Sequence, residues 1–471
     1  MVDYRLKNRG GLSALGFEEV SALFWRRVLR ILPVILLPLA LSGCMMMASV
    51  EDLYALPQLP QEYQALGNHL EEILSKGAEI TSPTSGSNLQ SVQLEDLDGD
   101  GVAEAIAFFR NNNDERPMKI YIFRALNDVY EQVALIEGGG TSIYSVRYLD
   151  MNQDGTKEIL VSWRVGTQQA LSIYALENLE PILLMASAYV RYESIDLDRD
   201  NAFELIILRG DETEAGSSLA DFYDWDGASL LLKSNARLSV AVGELQWIRN
   251  GTLESGEPAV FVTGRVAGVE ENSRAVTDIL VCRDSELVNI LLSQATGIST
   301  QIARYIGVQP TDIDGDGATE VPMPAQLPTV DNGEEMWKIY WSNYDAGGNA
   351  THSVTTYHNL TDSWYLLIPE EWNGRFAVVQ DNTSTTEHAT KFYSFSGGRV
   401  DKLLFTVYTL TGDNRETQAT KGERMILRRQ FSAVYAMELG PGYEGWRYAL
   451  AQEDLMARFN AIVTQWSTGE E

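Results

Sequence analysis

Asp96-Leu97-Asp98-Gly99-Asp100-Gly101-Val102-Ala103-Glu104 sets acidic side chains at positions 1, 3, 5 and 9 of one short stretch. When such a stretch curls, the oxygens of positions 1, 3 and 5 converge on one point. A backbone carbonyl at position 7 and a carboxylate at position 9 complete the shell. Roughly six to eight hard oxygens arranged in this way select Ca²⁺. Position 6 has to turn sharply with positive φ, which Gly provides and Asn tolerates.

The pattern D-x-[D/N]-x-D-[G/N]-x-x-E recurs at Asp150-Met151-Asn152-Gln153-Asp154-Gly155-Thr156-Lys157-Glu158. It returns at Asp196-Leu197-Asp198-Arg199-Asp200-Asn201-Ala202-Phe203-Glu204 and at Asp312-Ile313-Asp314-Gly315-Asp316-Gly317-Ala318-Thr319-Glu320. An EF-hand would carry a bidentate Glu at position 12 and a helix on each side. Position 12 is instead Ala107, Val161, Ile207 or Met323, and the loops run into short apolar, strand-like segments such as Ala105 to Phe109.

Loop starts at 96, 150, 196 and 312 leave a double interval before the last. One further unit is therefore expected near residue 250, with Glu257 to Val262 as its second strand and no acidic triplet. A second marker keeps the same register. Further into each unit lie a strand, a polar turn and another strand, as in Lys119 to Arg124 before Asn127-Asp128 and Phe222 to Trp225 before Asp226-Gly227. Repeats of about 40–55 residues holding about four short strands mark a propeller blade.

These loops and their period resemble the FG-GAP/VCBS family of calcium-loop β-propellers, found also in integrin α-chain heads. The resemblance covers roughly residues 88–358 and implies a mainly β fold, a propeller of about five blades with Ca²⁺ in its loops. It implies side-chain ligands Asp96, Asp98, Asp100 and Glu104, and likewise Asp150, Asn152, Asp154 and Glu158. The matching sets are Asp196, Asp198, Asp200 and Glu204, then Asp312, Asp314, Asp316 and Glu320. Val102, Thr156, Ala202 and Ala318 would contribute backbone carbonyls. Glu at position 9, where the family more often has Asp, is a departure. Pro322 and Pro324 after the last loop predict an irregular strand there.

The N-terminus reads as an address. Arg26, Arg27 and Arg30 precede an apolar run from Ile31 to Leu41. About eleven residues rise only ~16 Å as a helix, half of a ~30 Å hydrocarbon core, so the run fits a secretory signal rather than a spanning helix. Leu41-Ser42-Gly43-Cys44 comes directly after it and resembles the lipobox of bacterial lipoproteins. That resemblance implies a signal peptide over 1–43, lipidation of Cys44, a tether over 44–60 and a membrane-anchored, extracytoplasmic location. Gln61 to Ile80 reads as a helix packing on the repeat domain, and a linker closes the segment 61–87.

After about residue 360 the period stops. Alternating strands and an amphipathic pattern at Leu455, Met456, Phe459, Ile462, Val463 and Trp466 predict a small α+β domain over 361–471, ending in a helix. Composition limits the partners. Sixty-six Asp and Glu against 36 Lys and Arg give a formal charge of −30, which disfavours nucleic acid. The chain has no HExxH, G-x-S-x-G or Walker A sequence, so no catalytic residue is assigned. Cys282, in an apolar strand, reads as a structural thiol, and Trp337, Trp341, Trp364 and Trp372 as packing between domains. Three classes remain, in order of preference: a calcium-braced surface lipoprotein binding an unknown protein or glycan, a cell-envelope enzyme acting on polysaccharide or peptidoglycan, and a structural subunit of an envelope complex.

Overall fold

Strands dominate the protein because the apolar runs after each acidic loop are short and bounded by turns. The computed structural model describes residues 61–462 except 127–128, 178–179, 212–215, 227–228, 267–273 and 330–333. The expected signal peptide, Cys44 and the tether lie outside these residues. Ala65–Glu471 forms one compact unit, and of the other unit, Met1–Gln64, only the start of a helix (Gln61–Ser75) is described. Among the described residues, no helix is long and apolar enough to cross a membrane.

Six antiparallel sheets succeed one another along the chain. The first joins Glu104–Arg110, Met118–Leu126 and Val129–Gly138, with Val92–Glu95 and Glu79–Ile80 both pairing along Glu104–Arg110. The second runs Ser142–Leu149, Glu158–Val165, Gln168–Glu177, Glu180–Tyr189. The third is Arg191–Ile195, Glu204–Gly210, Ser218–Trp225, Leu230–Leu238. Each carries a register shift at one equivalent place in its outer hairpin, at Ile122/Phe123, Ile173/Tyr174 and Phe222/Tyr223. The fourth sheet contains Leu245–Thr252, Pro258–Val266, Arg274–Arg283 and Glu286–Asn289, the unit expected near residue 250.

The sheets stack in chain order through apolar layers. Ile106, Phe108 and Ile120 meet Ile143, Ile159 and Val161 between the first and second. Leu160 and Ile173 meet Leu205 and Ile207 between the second and third, and Ile206 and Phe222 meet Val260 and Leu280 in the next layer. Phe261 and Ile279 then meet Val321 and Tyr344. A strand covered on both faces has to be apolar at consecutive positions, which explains Ala105 to Phe109 and its counterparts. The first strands also lie side by side. Tyr148 donates to Gln93 at 2.6 Å, Arg147 to Ser194 at 3.3 Å, and Asn250 to the Ser194 carbonyl at 2.9 Å.

Phe376–Asp381, Glu387–Ser396, Arg399–Thr411, Ala433–Leu439 and Met425–Arg429 form the sheet expected within 361–471, the sixth among the described residues. It packs on the fifth through Tyr357, Trp364, Phe392 and Phe405. A boundary at 361 cuts the fifth sheet, since Trp364–Ile368 pairs with Ala350–Asn359 and Phe459–Ala461 pairs in turn with Trp364–Leu366. Among the described residues the expected terminal helix spans only Gln452–Ala457, because Phe459 is taken into a strand; Val463 and Trp466 lie outside those residues. Pro322 and Pro324 leave a regular register along Val321–Gln326. That strand pairs through its length only with Trp337–Tyr344, and residues two apart present the same side, so both missing N–H groups face the open edge.

Helix Gln61–Ser75 stops short of Ile80 because Glu79–Ile80 pairs with Phe109 and Arg110. Its Leu66 and Ile73 are buried, and His69 sits 5.7 Å from the Phe123 ring.

Candidate metal centres

In the first three sheets the acidic loop joins the first strand to the second, and in the fifth it leads into Val321–Gln326. All four loops share one backbone course. The position 5 N–H donates to the side chain at position 3, for example Asp100 to Asp98 at 3.2 Å and Asp154 to Asn152 at 3.1 Å. The position 7 N–H of Val102, Thr156, Ala202 and Ala318 donates to the position 5 carboxylate at 2.7–2.8 Å. In three loops the position 6 glycine N–H reaches the first aspartate at 3.0 Å.

Positive φ occurs at position 6, as expected, in Gly101, Asn201, Gly155 and Gly317. It also occurs at position 4, in Gly99, Gln153, Arg199 and Gly315, a second left-handed residue that the motif does not advertise.

Position 9 shows why Glu stands there. Glu104, Glu158, Glu204 and Glu320 are almost fully buried, and each accepts the N–H of position 2 (Leu97, Met151, Leu197, Ile313) at 2.5–3.0 Å. The longer side chain spans the loop from beneath while position 2 drops into an apolar layer. One oxygen is thereby satisfied. The other, Oε1, is buried without a hydrogen-bond partner in Glu104, Glu204 and Glu320, as is Oδ1 of Asp96 and Asp196.

Among the described residues, every unpartnered buried carboxylate oxygen belongs to one of these loops. A dry anionic oxygen is costly unless a cation or a proton meets it. Burial raises the Glu104 carboxyl and pushes those of Glu158 and Glu320 up to about 7 and that of Glu204 to about 8. The loops fit a hard cation.

They are not equivalent. Asp196, Asp198, Asp200 and Glu204 bring one oxygen each within 4.8 Å of one another. Asp96, Asp98 and Glu104 do so in the first loop, and Asp312, Asp314 and Asp316 in the last. Asp100 is drawn aside by Arg124, which bonds Asp98 at 2.9 Å and Asp100 at 2.6 Å and holds the Asp100 carboxyl below its usual range. In the second loop, Asn152 and the Thr156 hydroxyl both donate to Asp154. Ser353 donates to Asp314 at 2.6 Å in the last. Arg124 and Ser353 reach the loops from other strands, so nothing in the repeated pattern marks them. At the fourth sheet the counterpart turn lacks the acidic triplet, and the Leu253 N–H donates to the Glu257 carbonyl at 2.8 Å instead.

Neighbouring loops touch. The Lys157 N–H donates to the Leu97 carbonyl at 2.7 Å, Phe203 to Met151 at 2.6 Å and Thr319 to Thr252 at 2.9 Å. A side chain at Gly99 would overlap the Gly155 carbonyl. Elsewhere, burial pushes the half-buried Cys282 thiol up to about 11, where it is inert, and the ring of the half-buried His358 down to about 3, where it is neutral. Trp341, Trp364 and Trp372 are core residues.

No family model matches the chain, and no curated protein matches it. Among solved structures it superposes loosely on rhamnogalacturonan lyase YesW, with 10% identity over 69% of this chain and 75% of that one and a TM-score of 0.29. The Dos1 propeller gives 8% identity over 77% and 84%, TM-score 0.25. An exo-β-1,3-galactanase from Phanerochaete chrysosporium gives 9% over 78% and 90%, TM-score 0.23. Scores this low assign neither fold nor function.

Proposed function

We propose that this chain is a calcium-braced, extracytoplasmic lipoprotein of FG-GAP/VCBS type whose sheets act as propeller blades and present a binding surface to a protein or glycan. The buried, donorless oxygens of Asp96, Glu104, Asp196, Glu204 and Glu320 carry the calcium reading. Their surroundings supply only oxygen ligands, the choice of a hard cation. Extracellular modules bind calcium at roughly 10⁻⁴–10⁻³ M, adequate for the location implied by the lipobox-like sequence at Cys44. Side-by-side first strands support a fan of blades. Bracing rather than sensing is favoured by position 2, which ties each loop to an apolar layer.

Thermal unfolding in chelator, then in excess calcium or magnesium, tests the reading. Calcium at 100 times its dissociation constant stabilises by about 2.7 kcal/mol for one site, so a rise of several degrees is expected, with less from magnesium. A melting curve indifferent to both chelator and calcium would overturn it. Cys44→Ala is expected to move the protein out of the membrane fraction.

A further inference from the structure

A cavity of about 510 Å³ opens where the first strand of the fourth sheet, the segment before the last acidic loop and the Met425–Arg429 hairpin meet. Its size falls within the roughly 300–1,000 Å³ of small-ligand sites. Its lining is unlike the rest of this acidic protein. Arg249 and Arg428 line it and, among the described residues, pair with no carboxylate and are joined by no Asp or Glu in the wall.

One side is aromatic. Trp247 and Tyr305 stack at 5.8 Å with their planes 13° apart, and the Arg265 guanidinium lies 4.7 Å from the Tyr305 ring. Gln430 and Thr311 add amide and hydroxyl groups to the wall. Its partners come from three sheets, so assembling the stack also assembles the cavity.

We propose that this cavity binds a saccharide bearing uronate carboxylates; the proposal deepens the glycan-binding side of the proposed function and rests on it. An aromatic stack offers a flat apolar wall for the C–H face of a sugar ring. A guanidinium forks onto a carboxylate with two parallel hydrogen bonds, and amides and hydroxyls match the sugar hydroxyls. Arg249 and Arg428, on separate elements, suit acidic groups spaced along an oligosaccharide. A lone phosphate would leave the aromatic wall unused. In a chain of formal charge −30, repulsion makes any acidic ligand depend on these arginines.

The test is tryptophan-fluorescence titration and calorimetry on the full chain. The probes are glucuronate- and galacturonate-containing oligosaccharides of two to four sugars, their carboxyl-reduced neutral counterparts, and a nucleotide. Binding of the acidic sugars is expected to weaken with salt, and by about tenfold or more in Arg249→Gln and in Arg428→Gln. Trp247→Ala is expected to weaken it as well. Because Trp247→Ala removes packing, the two arginine variants are the deciding ones, with melting temperatures checked against the parent. No binding at millimolar acidic sugar, equal binding of the reduced sugars, tighter binding of the nucleotide, or unchanged affinity in both arginine variants overturns the proposal. The calcium-dependent melting shift is measured in the same samples. A shift without sugar binding removes the saccharide site alone, and sugar binding without a shift removes the calcium reading alone.

Discussion

Glu204 concentrates the chemistry of the loops in one side chain. Its carboxyl is fully buried, bonded to Leu197 through one oxygen and bare at the other. Raised in the ion-free fold to about 8 from an ordinary 4.5, it favours the protonated state. The stabilising effect of protonation is full below about 4.5 and is lost as pH rises through about 8. In chelator, the melting temperature is therefore expected to fall between about pH 5 and 8. Calcium requires the ionised form, so saturating calcium should reverse that slope, and Glu204→Gln should flatten both curves at this site. Melting curves across pH with and without calcium check it. A falling slope in chelator that persists undiminished in calcium would contradict the assignment.

Each loop is an element with a fixed course, and its glycines are not interchangeable. Gly99 and Gly315 occupy position 4 with φ of 71° and 82°. Alanine strains both, at about 1–2 kcal/mol for the left-handed backbone. At Gly99 the methyl group also meets the Gly155 carbonyl, whereas Gly315 faces open space. Gly99→Ala should lower the midpoint of chemical unfolding distinctly more than Gly315→Ala; equal losses would mean that the approach of the first two loops contributes nothing. Four acidic loops and the apolar runs behind them were legible because every requirement sits within nine consecutive residues. Arg124 was not, since it arrives from a neighbouring strand, and position 4 was not, since Gln153 and Arg199 are poor markers of positive φ. The pattern at Leu455 to Trp466 reads as a helix by spacing alone. Phe459–Ala461 joins a sheet because the edge of Trp364–Ile368 is free to take it. The strands of the sixth sheet were legible from their alternation, but its packing on the fifth was not, since Tyr357, Trp364, Phe392 and Phe405 meet across a distance the local pattern does not span.

At the scale of the whole molecule, the tail closes over what the repeats begin. Ending the chain at residue 360 would remove Trp364–Ile368, Phe459–Ala461 and the sixth sheet, uncovering Tyr357. Such a fragment is expected to aggregate, and recovery of a soluble, cooperatively melting fragment would show that 361–471 is separable after all. The loop-to-loop bonds from Lys157 to Leu97 and from Phe203 to Met151 join three loops into one hydrogen-bonded chain. The last loop is bonded instead to Thr252, beside the turn of the fourth sheet that lacks the acidic triplet. An ion that fixes one of the first three loops also fixes a bond partner of the next, so part of the ordering cost is shared. Calcium titration should then show two populations, a cooperative group with a Hill coefficient above one and a solitary site that fills independently.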